Sequence, residues 1–163
     1  MADDIKTVED KLSSLISPLV KPGNYVCASD TNRQVAQEKQ GAKRPADFPR
    51  VYLDRGRSRR QPFTNTPTFG TFGTGPCPRI ETRSQEFVIT TISDKRGDVE
   101  AGQLDADIQD AIVGAGPQLG LPTIVRVVEE IATSNEVTSR GKAEGTQRQM
   151  FTTTVRVGMR KAV

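Results

Sequence analysis

A chain of 163 residues is long enough for one domain with its own core. Hydrophobic residues make up 34% of it and aromatic residues 5%, both low for a globular domain, so part of the chain has no core to join. The net charge of +3 is too small to argue for nucleic acid by itself. The absence of histidine removes the usual base of serine and cysteine triads and the commonest metal ligand.

Ile5, Val8, Leu12, Leu15, Ile16 and Leu19 recur in steps of three and four, which predicts an amphipathic first helix. Asp3, Asp4, Glu9 and Asp10 lie toward its N-terminal end, where the helix dipole favours negative charge, and Pro22-Gly23 stops it. The acidic start and the lack of a long apolar run predict a soluble protein with no membrane partner and no cleaved signal. Asn24–Ala28 reads as a short strand, and Asp30–Asp47 as a polar stretch of weak helical or irregular character. Phe48–Asp54 has strand character, with Pro49 confined to the strand's start or to an edge because it cannot donate to a ladder.

The segment Arg55–Ile80 is the least ordinary. Arg55, Arg57, Arg59 and Arg60 fall within six residues and are followed by a low-complexity rhythm of Thr, Gly, Pro and Phe. No helical or strand period survives there, so it is expected to be an extended arm. Phe63, Phe69 and Phe72 would serve no purpose in a purely solvated linker. Two uses fit: an extended peptide laid on another protein surface, or a grip on nucleic acid through phosphates and stacking.

Strand character returns at Gln85–Ser93, with Phe87 and Ile89 on one face and Val88 and Ile92 on the other, which suits a central strand. Asp98 is placed to cap a second helix whose stripe is Ala101, Leu104, Ile108, Ala111 and Ile112, ending at the Gly/Pro break 114–122. Gly114–Gly120 loosely imitates a dinucleotide fingerprint, but it follows a helix instead of a strand and contains Pro117, so that motif is rejected. Thr123–Ala132 is rich in β-branched residues and reads as a strand. After it comes a basic loop, Arg140–Gln149, holding Arg140, Lys142 and Arg148. It serves either as an exposed hairpin tip or as a segment that orders on assembly. The final strand, Met150–Val157, alternates Phe151, Thr153, Val155 and Val157 against Thr152, Thr154 and Arg156.

This order predicts an α+β fold, a single domain over 1–163. Its sheet has four to five strands, mainly antiparallel or mixed, with two helices on one face and an arm at about 55–80. Cys27 and Cys77 match no zinc spacing and are expected to be reduced thiols. No enzyme, metal or cofactor is expected. Asp105 and Asp107 are two apart on a helix, so they do not face each other as a catalytic pair.

Charge is sorted along the chain. Residues 98–110 hold five acids and no base, whereas residues 30–60 hold nine bases against four acids. Separated signs favour head-to-tail contact between copies, although a solvated acidic helix face reads equally well. The candidate interface residues are therefore the four arginines and three phenylalanines of the arm, Asp105, Asp107 and Asp110 on the helix, and Arg140, Lys142 and Arg148 of the loop.

The element order resembles that of the tail terminator (tail completion) proteins of long-tailed bacteriophages, and more broadly their small neck proteins. The residues that carry it are the helix TVEDKLSSLISPLV, FPRVYLD, the strand QEFVITTIS, the helix containing DADIQDAIVG, the strand TIVRVVEEIA and the terminal RQMFTTTVRV. The resemblance implies a non-catalytic α+β subunit, assembled in the host cytoplasm and resident in the virion. It would form a hexameric ring that caps the tail tube, halts its growth and meets the head. The implied partners are sister copies, the tail tube protein and head–tail connector proteins, with DNA only as passing cargo. A head–tail stopper or tube-associated protein is the near alternative, and a nucleic-acid module using the arginines is the alternative of another class. The arm at 55–80 departs from the simple family plan.

Overall fold

A five-stranded sheet organises the molecule. The computed structural model describes residues 2–27, 49–61, 80–93, 99–139 and 147–162. Its elements in chain order are α1 (Ala2–Ile16) with a 3-10 turn (Ser17–Leu19), β1 (Tyr25–Cys27), β2 (Arg50–Gln61), β3 (Ile80–Ser93), α2 (Val99–Gly114), β4 (Val125–Ser139) and β5 (Gln147–Ala162). The strands lie in the order β1-β2-β3-β5-β4. β1 is parallel to β2 and every other neighbouring pair is antiparallel, so the expected α+β fold is present with a mixed sheet.

Register explains which side chains meet the helices. Val51 stands opposite Thr91 and Leu53 opposite Ile89, while Phe87 stands opposite Val155, Ile89 opposite Thr153 and Gln85 opposite Val157. Because side chains alternate along a strand, this row makes one continuous face. Val51, Leu53, Phe87, Ile89, Val155 and Val157 are all at most 1% exposed. Against them α1 sets Ile5, Val8, Leu12 and Ile16, and α2 sets Ala101, Ile108 and Ile112, all buried. α2 packs on β3 and β5 and lies beside α1. Each large side chain in this layer contributes about 1.5–3 kcal/mol through burial. β3 is central, as its two apolar faces predicted.

Leu19 leaves the predicted α1 stripe. The α-helix stops at Ile16, and the following 3-10 turn rotates Leu19 outward to 41% exposure. Pro49 directly precedes β2, as expected. There Asn24 O accepts from Val51 N–H at 3.0 Å and so ties β1's approach to β2. Ser13 and Tyr25 join their hydroxyls at 2.7 Å and hold α1 over β1.

Several predicted boundaries need correction: β3 begins at Ile80 and β5 runs on to Ala162, and the basic segments change most. The run Arg55–Gln61 is strand, continuous with β2 and paired with Thr82–Phe87, so Arg55, Arg57, Arg59 and Arg60 stand on the sheet and not on an arm. β4 runs on to Ser139, and β5 begins at Gln147, so Arg148 is a strand residue opposite Thr138. These extensions lie at the ends of strands, where a strand needs only ladder hydrogen bonds. With no core to face, its sequence carries no period of two. The expectations for Asp30–Asp47, Phe63, Phe69, Phe72, Cys77, Asp98, Arg140 and Lys142 fall outside the described residues.

The break between α2 and β4 is tight. Gly116 and Gly120 have positive φ, and so does Leu119 at 52°. Leu119 is fully buried in the core cluster, which offsets the cost of a left-handed leucine. The Gly-rich segment therefore leads from a helix into a strand, the reverse of a dinucleotide loop.

Candidate assembly surface

The arginine run starts inside the subunit and ends outside it. Arg55 falls on the helix-facing row of β2, opposite Phe87, and its Nε donates to Glu9 Oε2 at 2.5 Å. Glu9 is 2% exposed. Its other oxygen accepts from the buried Cys27 thiol at 3.4 Å, and Lys6 Nζ approaches at 3.8 Å. Past Arg55 the β2–β3 register shifts, two β2 residues being passed before Ser58 meets Gln85. This is a β-bulge. The buried Gln85 amide staples it, donating to Gly56 O at 3.3 Å and to Glu86 O at 3.0 Å. Beyond the bulge Arg57, Ser58, Arg59 and Arg60 are exposed. Arg83 Nε donates to Ser58 Oγ at 2.8 Å. Among the described residues, Arg57 and Arg59 have no ion-pair or hydrogen-bond partner in the subunit.

The helix acids divide differently from the expectation. Asp105 is 4% exposed and belongs to the sheet-facing side of α2. Thr153 Oγ1 donates to Asp105 Oδ1 at 2.8 Å and Gln109 Nε2 donates to Oδ2 at 2.8 Å. Thr133 Oγ1 lies 3.0 Å from Thr153 Oγ1 and extends this chain onto β4. Asp105 is therefore withdrawn from the candidate interface: its charge is spent on holding α2 to the sheet. Asp107 is half-buried and accepts from Gln103 Nε2 at 2.9 Å, while Asp110 is exposed. Residue type concealed Asp105, since its spacing of four from Ala101 and three from Ile108 already placed it on the buried stripe.

A second acidic surface, not singled out from the sequence, lies on β4. Arg156 on β5 bridges the open face of the sheet, its Nη2 donating to Glu86 at 3.1 Å and its Nη1 to Glu130 at 3.2 Å. The hydrogen bond to Glu86 raises the Arg156 pKa above the usual guanidinium value; desolvation opposes this, and the charges of Glu130, Glu86 and Glu129 add to the rise. Glu129 accepts from Arg126 at 2.9 Å and from Ser84 Oγ at 3.1 Å. Glu136 is exposed, with no partner among the described residues. EE and NE in VVEEIATSNE were visible in the sequence, but their position at a sheet margin depends on β5 returning between β3 and β4. Near the other end of this strand, Gln149 and Asn135 hydrogen-bond across β5 and β4.

Two shallow grooves flank α2. One, between α2 and β4, is lined by Ile112, Val113, Gly116, Pro117, Val128 and Ile131, with Glu129 and Glu130 at its rim. The other runs between α2 and the 3-10 turn, past Leu19, Val99 and Leu104. Val99 at 82% and Val113 at 65% are the most exposed large apolar side chains described. Among the described residues there is no cluster of three or more His, Cys, Asp or Glu side chains able to hold a metal, and no helix long and apolar enough to cross a membrane.

The arrangement thus offers surfaces for contact: a basic strand edge, an acidic strand edge and an apolar groove beside the second. Compared with models of known protein families and with curated protein sequences, the chain gives no match.

Proposed function

We propose that the chain is a non-catalytic virion subunit that forms a ring at the head-proximal end of a phage tail. There it stops tube growth and joins the tail to the head. One observation carries this reading. The sheet runs past its helix-covered core, and at opposite margins it presents charges that find no partner among the described residues: Arg57 and Arg59 on β2, Glu136 on β4. A subunit whose opposed margins carry opposite, unspent charge suits repeated contact with copies of itself. The resemblance to tail terminators implies an α+β subunit, and the fold is α+β.

The test is electron microscopy of the purified protein, alone and mixed with tail tubes. Rings seated at one end of the tubes, with tube length held fixed, are the expected result. A monomer at high concentration that leaves tube growth unchanged would sink the reading. A ring that binds the head connector and ignores the tube would instead assign the chain as a stopper. The exposed Arg57 and Arg59 also favour, second, a nucleic-acid contact. That reading requires salt-dependent binding to duplex DNA that is lost when both arginines are reversed in charge.

A further inference from the structure

The sheet has two outer margins, and they differ in kind. β1 covers only Val51–Leu53 of β2, so from Asp54 to Gln61 no described strand lies along the outer side of β2. At the other margin β4 has no described strand beyond it over its whole length. At its start two N–H groups are engaged, Val125 donating to Leu121 O at 2.8 Å and Val128 to Pro117 O at 2.7 Å. From Glu130 to Ser139 the β4–β5 register is unbroken, and that stretch contains no proline, lysine or arginine. Bulges, prolines and lysines are usual devices that keep an edge from pairing, and this stretch of β4 has none of them. A long regular edge without them is suited to receiving another strand.

The charges of the two margins are opposite. Asp54–Gln61 carries four arginines against one aspartate, and Glu129–Ser139 carries three glutamates and no base. Pairing β4 with β4 would set glutamates against glutamates, and β2 with β2 arginines against arginines. Only the crossed pairing relieves both. The groove beside β4 supplies an apolar wall of Val113, Val128 and Ile131 for the aliphatic stems of incoming arginines, whose heads then reach the glutamates at its rim.

We infer that neighbouring copies join edge to edge, the arginine-bearing outer edge of β2 in one copy lying along the outer edge of β4 in the next. This rests on the ring reading and deepens it, because a contact between two different edges repeats head to tail and closes into a ring when its rotation permits. The arginines grip the acidic margin of the neighbour, and the sheets of successive subunits become continuous.

A charge swap on the full-length chain tests this. Glu136→Arg alters one margin, and Arg57→Glu with Arg59→Glu alters the other; none of these side chains has a partner among the described residues, so folding is expected to be retained, which circular dichroism and urea unfolding check. Light scattering and electron microscopy then read assembly. Each altered chain alone is expected to associate at least tenfold more weakly than the unaltered chain. An equimolar mixture of the two restores rings, because each contact again sets opposite charges together and copies alternate around the circle. Rings that form unchanged from either altered chain, or a mixture that stays dissociated, overturn the edge pairing and leave the ring reading standing. An unaltered chain that never associates overturns both.

Discussion

Arg55 Nε donates to Glu9 Oε2 at 2.5 Å, and the carboxylate that receives it is 2% exposed although Arg55 itself is 40% exposed. The first arginine of the basic run is thus part of the fold, whereas Arg57 and Arg59 are spare. Removing Arg55 takes its charged hydrogen-bond donor from a buried carboxylate that also meets the Cys27 thiol at 3.4 Å and Lys6 at 3.8 Å. Arg55→Ala is expected to cost about 1–3 kcal/mol, below the full penalty for an orphaned buried charge because water reaches the arginine side. Arg57→Ala should stay within about 0.5 kcal/mol of the unaltered chain. Urea unfolding at fixed protein concentration separates the two; equal losses would show that Arg55 has no structural role.

That division marks how far the sequence could be read. The strand Gln85–Ser93 and both helices were legible because their apolar residues keep one period against one core. The ends of β2, β4 and β5 were not, since Arg57–Gln61 and Asn135–Ser139 pair by backbone bonds and show no apolar alternation. Asp105 was misjudged for a different reason. Its position on the α2 stripe was plain, but an acid on a buried stripe has no local sign of the threonine 48 residues away that satisfies it. The acidic edge was unreadable for want of strand order, which is decided by long-range pairing.

Thr153 and Asp105 provide a direct test of the buried carboxylate. Thr153→Val keeps the side-chain volume and removes the hydroxyl that donates to Asp105 and meets Thr133. A loss of about 1–2 kcal/mol is expected, because among the described residues the carboxylate then keeps Gln109 alone as a side-chain donor. Asp110→Asn, on the exposed side of the same helix, should leave stability within about 0.5 kcal/mol. If the two changes have the same effect on the urea midpoint, Asp105 does not hold α2 to the sheet.

Gly56 sits at the bulge where β2 leaves the helix-covered core. A Cβ there would lie 3.0 Å from Glu86 Cβ and 3.2 Å from Val88 Cγ2, and neither neighbour is the far end of a flexible side chain. Gly56→Ala therefore forces β2 away from β3 just before the exposed arginines. About 1–3 kcal/mol of destabilisation is expected, typical of overpacking. Backbone hydrogen exchange should show faster opening of Ser58–Gln61 while Val51–Leu53 stays protected. Uniform loss of protection along β2 would contradict a local cause.

Leu119 sets two effects against each other. Its φ of 52° strains a branched side chain, and its complete burial in the core cluster rewards keeping it. Leu119→Ala retains the strained backbone and opens a cavity, so a loss of about 2–5 kcal/mol is expected. Leu119→Gly opens a slightly larger cavity, yet releases about 1–2 kcal/mol of left-handed strain. The glycine variant should therefore be no less stable than the alanine variant, the opposite of their order in an ordinary helix or strand. Thermal and urea unfolding of the two side by side decide it: an alanine variant more stable by a kcal/mol, on the order of the strain term itself, would mean that the turn does not depend on the left-handed conformation at this position.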